Sequence, residues 1–229
     1  MRILILAIYM VSLSVASGAA GTNHFPLTEG VVNGYEFSTG QLAGTYITYF
    51  SGTADVGGTT THVRHYAGGV HSGLLHFWSE TAEGDKFFHG SDTPFGGYYF
   101  FPPILMIDEP LYVGKTWVVD SRASDSLAVR IHFEVTAFGQ VTVPAGAFQA
   151  FTVEDTWEFP EQVQGNKNYP TLWGIPGLAG TARQVSRSTY ADGIGLIQQV
   201  FGGRTDRLIS RRTVGVESVT WTRIRMLYR

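Results

Sequence analysis

LAVRIHFEVTA, residues 127 to 137, decides the class of the fold. Leu127, Val129, Ile131, Phe133, Val135 and Ala137 are apolar, and Arg130, His132, Glu134 and Thr136 alternate with them. A period of two sets one row of side chains on a core and the other in water, which is a half-buried strand. Wound as a helix, the same residues would scatter their apolar groups around the whole circumference.

The next stretch, VTVPAGAFQAFTVEDTW from 141 to 157, has the character of a strand pair interrupted by Pro144, Ala145 and Gly146. Proline presets φ for a turn and glycine accepts positive φ, so the interruption reads as a hairpin rather than a ligand loop. Val141 and Val143 are odd-numbered, Phe148 is even, and Phe151 and Val153 are odd again, a slip that predicts a β-bulge near Phe148 to Ala150. Asp155 shares the parity of Phe151, Val153 and Trp157 and is expected on the apolar side, with Glu154 facing away. A carboxylate placed there needs a partner, so a buried ion pair or hydrogen-bond cluster with an Arg or Tyr is expected.

Outward from this pair the pattern repeats. GTYITYFSG and THVRHYA flank a break at TADVGGT, and AGGVHSGLLHFWSE leads through TAEGD to KFFHG. Further on come ARQVSRSTY, GLIQQVF, a turn at GGRTD, RLISRR and a long closing strand VESVTWTRIRMLYR. The composition of 28 Gly, 15 Phe and 11 Tyr suits pleated strands joined by glycine turns. The expected fold is all-β: an antiparallel meander of hairpins curling into a barrel, half-barrel or sandwich so that few edges stay open. Residues 160 to 180, PEQVQGNKNYPTLWGIPGLAG, read as a long loop carrying Trp173.

A faint repeat divides the chain. FPLTEG at 25 to 30 and EPLYVGKTW at 109 to 117 share Pro-Leu-x-x-Gly before a strand. It predicts an N-terminal β half over 21–106 and a C-terminal β half over 107–229, with FFPPILMID as the connection. Residues 1–20 read as a signal peptide: Arg2, the apolar run ILILAIYMVSLSVA, then small residues suited to cleavage before Ala20 or Gly21. That run is too short for a membrane span, which needs about 20 apolar residues. The expected protein is exported, periplasmic or extracellular, soluble after processing and not membrane-spanning.

Charge and cysteine content narrow the function classes. The chain has 16 Lys+Arg against 19 Asp+Glu, and loss of Arg2 leaves 15 against 19. This weak acidity argues against a nucleic-acid partner, and the arginines at 204, 207, 211, 212, 223, 225 and 229 read as a solvated strand face. With no Cys there is no disulfide framework, thiol chemistry or Cys-type zinc site.

PLYVGKTW at 110 to 117, VTVPAGAFQA at 141 to 150 and YADGIGLI at 190 to 197 together resemble a group of bacterial exported envelope proteins. That group shows a Pro-Leu-x-x-Gly-x-x-Trp strand, a Val-Pro-Ala-Gly-x-Phe hairpin and a Trp/Tyr-Ala-x-Gly-Val-Gly segment. The resemblance implies a β fold and an envelope location; many members are lipid-anchored, and this chain lacks the anchoring Cys. It implies no reaction and no catalytic residue.

Gly-x-Ser-x-Gly, His-Glu-x-x-His, a P-loop and a dinucleotide-binding glycine fingerprint are absent. His62, His65, His71, His76 and His89 cluster in sequence but mix parities, so no metal site and no cofactor is expected. The aromatic run Tyr98, Tyr99, Phe100, Phe101 alternates faces, leaving two rings available to stack on a sugar or cover a lipid. With Asp155, Trp157 and Trp173 these form the candidate ligand-binding set. The leading expectation is a non-catalytic envelope protein whose curved sheet binds an apolar ligand, a glycan or an envelope partner. The alternatives are a carbohydrate-active enzyme on a β-sandwich and a purely structural assembly module.

Overall fold

The computed structural model describes residues 23–94, 96–124, 127–159 and 183–214. Twelve strands follow one another: β1 (Val31–Ser38), β2 (Ala43–Val56), β3 (Thr59–Ala67), β4 (Leu75–Glu80), β5 (Lys86–Thr93) and β6 (Gly96–Ile107) come first. They continue with β7 (Thr116–Ala123), β8 (Ala128–Val143), β9 (Gly146–Glu158), β10 (Arg183–Ala191), β11 (Gly195–Phe201) and β12 (Arg204–Thr213). Each pairs antiparallel with its neighbour in sequence, and β12 closes on β1, so the expected meander is a closed barrel. Closure removes the exposed edges that a meander otherwise presents to other chains.

On β8 the alternation holds as read through Val135: Val129, Ile131, Phe133 and Val135 are buried while Arg130, His132 and Glu134 are exposed, but Ala137, expected on the core row, is exposed. The hairpin at Pro144 and Ala145 is also as expected, with Val143 opposite Gly146 at φ 141°. The bulge is not where parity placed it. Phe148 to Ala150 pair regularly with Val141 to Gly139, and the irregularity lies on the partner strand between Val135 and Ala137. A bulge is a mismatch between two strands, and either can carry the extra residue.

Other boundaries shift for physical reasons. Thr53–Val56 continue β2 and only Gly57 and Gly58 turn, while Arg204, Thr205 and Asp206 open β12 after a turn at Gly202 and Gly203. The stretch expected to connect two halves is strand through Ile107 and not a connection. The two Pro-Leu segments precede β1 and β7, and His24, next to the first, has its Nδ1 2.8 Å from Glu109 Oε1 in the second, both side chains buried. Between β3 and β4 a short 3-10 turn, Gly69–His71, carries His71 to the barrel interior, where its ring meets that of Tyr46 at 4.8 Å. The expected closing strand at 216–229 and the loop at 160–180, with Trp173, lie outside the described residues.

A twelve-stranded barrel encloses more space than the wall of an eight-stranded one fills. Here the segment before β1 supplies Phe25, whose ring packs against Phe50, Trp78 and Tyr190 at 6.1, 4.7 and 6.1 Å. Around it lies a core of Phe88, Phe100, Trp117, Phe133 and Trp157, and a second cluster gathers Tyr35, Tyr46, Tyr66, Ile197 and Leu208. The outer face carries cross-strand ion pairs: Arg130–Asp120 and Arg187–Glu154 at 2.7 Å, and Arg207–Glu36 at 2.7 Å. No helix among the described residues is long and apolar enough to cross a membrane.

Candidate functional site

The four consecutive aromatics of β6 divide as their alternation requires. Tyr98 and Phe100 point into the core, where their rings meet at 5.3 Å, and Tyr99 lies outside against Phe77 at 5.8 Å. Phe101 is outside and half exposed, at 50 %. Two prolines come directly after it on β6 and open space beside its ring.

Pro102 and Pro103 have no N–H to give a neighbouring strand. The ladder between β6 and β7 accordingly stops after two pairs, Phe100 with Ala123 and Phe101 with Arg122. Side chains of β7 then take over the carbonyls left on β6: Ser121 Oγ donates to Pro102 O at 2.5 Å and Trp117 Nε1 to Leu105 O at 2.9 Å. The wall stays closed, and beside this lapse outward side chains meet the inward Ser121 and Val129. A groove of about 520 Å³ results, lined by Phe101, Asp120, Arg122, Arg130, Glu158 and Phe159.

The groove combines apolar ring surface with fixed charges. Arg130 donates from Nε and an Nη to both oxygens of Asp120, each at 2.7 Å, and these hydrogen bonds hold the Asp120 carboxyl below its usual range. Glu158 lies 3.6 Å from His132 Nε2 on the adjacent strand. Two acids and two arginines line the groove, so its charge is balanced.

Asp155 lies on the other side of the same wall. It is 4 % exposed and accepts hydrogen bonds from Trp157 Nε1 and Ser186 Oγ, both at 2.6 Å. Burial raises its pKa, opposed by these two donors. The buried hydrogen-bond cluster expected from parity is therefore present, with Trp and Ser as partners in place of Arg or Tyr. Glu154 faces outward to Arg187, so the two adjacent acids sit on opposite faces. Asp155 and Trp157 thus line the core, Phe101 lines the groove, and Trp173 is outside the described residues.

Inside the barrel is a polar region that strand periodicity alone did not disclose. Arg204 is buried and grips Asp206 through Nε and an Nη at 2.5 and 2.8 Å, with Tyr46 OH donating to Asp206 at 2.6 Å. Arg204 therefore does not belong to a solvated face, whereas Arg207 does. Arg64 and His71 line the same interior chamber. The histidines spread over both faces: His65 stacks outside on Tyr49 at 4.9 Å, while His76 contacts Tyr66 inside at 3.0 Å. Among the described residues no three His, Asp or Glu side chains come close enough to hold a metal ion.

No known protein family matches this sequence, and no curated protein matches it. Among solved structures, the chain is similar to a protein from Bacteroides fragilis described as exported and of YmcC-like fold, at 13 % identity, TM-score 0.47, covering 84 % of this chain and 100 % of that one. It is also similar to one from Parabacteroides distasonis described as a lipoprotein, at 12 % identity, TM-score 0.47, covering 83 % of this chain and 99 % of that one.

Proposed function

We propose that this chain is an exported, non-catalytic envelope protein that binds a neutral saccharide chain in the groove beside β6. The observation that carries the reading is the half-exposed Phe101, which lines a groove of about 520 Å³ together with four charged side chains. An aromatic ring packs against the C–H face of a sugar, and oriented donors and acceptors take its hydroxyls. Arg122, Arg130, Asp120 and Glu158 supply both kinds, and their balanced charge favours a neutral ligand.

Two other readings are less well supported. An acyl chain inside the barrel needs a cavity of several hundred Å³, whereas the interior chamber holds about 50 Å³. A glycosidase needs one carboxyl held protonated beside an ionised partner. In the groove Arg130 already occupies both oxygens of Asp120, and the other acid, Glu158, lies beside His132. Asp155 does have a raised pKa, but it is buried on the inner face. A glycan array probed with the mature protein tests the reading: retention of a set of neutral saccharides supports it, and an array without any retained glycan rejects it. Mass spectrometry of the exported protein should give an N-terminus at Ala20 or Gly21; an unprocessed Met1 would contradict the export reading.

A further inference from the structure

The interior of the barrel points to a second site, independent of the groove: we propose that the chamber between Arg64 and His71 binds a small monocarboxylate ion. Arg64 is 5 % exposed, yet among the described residues no carboxylate lies within ion-pair distance of it. Its guanidinium donates to Thr48 Oγ1 at 3.0 Å and lies over the rings of Phe25 and Tyr66 at 5.3 and 5.1 Å. The Tyr35 hydroxyl, which donates to Leu196 O at 2.8 Å, adjoins the same group. Arg204, in the same chamber, shows the usual solution for a buried guanidinium, a two-pronged grip on Asp206. Arginine stays charged in a protein, and a buried charge without a counter-ion is costly. Two arginines and one aspartate leave the chamber one positive charge in excess.

His71 provides the second observation. It is 6 % exposed, and neither ring nitrogen has a hydrogen-bond partner among the described residues, although the ring is held against Tyr46 at 4.8 Å and Tyr66 at 5.9 Å. Burial, with the charge of Arg204 behind it, lowers its pKa to about 4, so at neutral pH the ring offers one N–H donor with no acceptor. The space in front is about 50 Å³. One water needs about 10–15 Å³ on this measure, so the chamber holds several waters or an ion of a few heavy atoms.

A carboxylate suits this donor set better than a spherical or tetrahedral anion. Its two oxygens match the planar fork of a guanidinium, and one can also accept from His71. Leu74 and Met106, on the same lining, offer apolar surface for a short alkyl end. Acetate is the smallest ion with both features.

The test is a calorimetric titration of the mature protein with sodium acetate at constant ionic strength, with sodium chloride as the control. Saturable heat with acetate and none with chloride is expected. Arg64→Lys, which keeps the charge but loses the fork, should weaken acetate by about tenfold or more, and His71→Phe should weaken it as well. Both positions are in the core, so near-UV circular dichroism checks that each variant is folded. The wild-type titration decides without them: no saturable heat, or equal heats with acetate and chloride, overturns the proposal. Undiminished affinity in both folded variants overturns it too. The groove and the chamber share no lining residue, so neither result bears on the saccharide reading.

Discussion

Replacing Asp155 once by Asn and once by Ala separates two things its carboxylate does in the barrel wall. In the native state its oxygens accept from Trp157 Nε1 and Ser186 Oγ at 2.6 Å. Asn keeps an acceptor for the indole and an amide that can donate to Ser186, but carries no charge. Ala strips both donors of this acceptor, at about 1–3 kcal/mol each, so Asp155→Ala should be about 2–6 kcal/mol less stable than Asp155→Asn. The charge shows up in pH dependence. Burial raises the folded pKa above the ordinary 3.8, so the native protein binds this proton more tightly than the unfolded chain does. Stability contributed by the group is full below 3.8 and is lost as pH rises through the folded pKa. Urea unfolding of wild type and both variants across pH 4 to 8 measures this directly. Asp155→Asn should gain on wild type as pH rises, then level off above the folded pKa. A constant difference between those two across the range, or an Ala variant as stable as the Asn variant, would refute the reasoning.

Two further perturbations test the wall elsewhere. Gly90 has φ 142°, and a Cβ there would stand 2.2 Å from Tyr98 O and 2.7 Å from Tyr99 Cα, so Gly90→Ala must part β5 from β6. A loss above about 3 kcal/mol is expected in thermal unfolding, with amide exchange accelerated first in those two strands. Lys86 is fully buried with its Nζ 2.6 Å from Glu80. Glu80→Ala leaves that ammonium without its partner and should cost about 2–3 kcal/mol in urea, less than for a fully buried pair because Glu80 is 39 % exposed. Glu80→Gln, which keeps an acceptor, should cost less.

Much of the wall was legible in residue parity, because one face of β7 to β9 is wet. Val129, Ile131, Phe133 and Val135 mark the core, and Glu154 and Asp155 fall on opposite faces as their positions require. The same rule divides Tyr98 and Phe100 from Tyr99 and Phe101. Around β3 it loses its force, since Val63 and Arg64 are both buried and no polar row marks the outside. Arg64 and Arg204 therefore could not be told from solvated charges, although Arg64 sits two residues from Tyr66 on one side of its strand. Pro102 and Pro103 were misleading for another reason. Prolines suggest the end of a strand, yet here Ser121 and Trp117 donate to the carbonyls of Pro102 and Leu105, and β6 runs on to Ile107. The groove depends on that lapse in pairing, which is a property of two strands and not of either sequence. Asp120, Arg122 and Arg130 look like any outer row until the neighbouring ladder stops.

The central claim is that the groove beside β6 holds a saccharide against Phe101. Isothermal titration calorimetry with maltohexaose, cellohexaose and chitohexaose tests it on wild type, Phe101→Ala and Phe138→Ala, the last being a comparably exposed ring, at 55 %, outside the groove. At least one of the three should bind wild type, Phe101→Ala should weaken it by about tenfold or more, and Phe138→Ala should leave it unchanged. Failure of all three to bind, or equal losses from the two phenylalanine variants, would contradict the account.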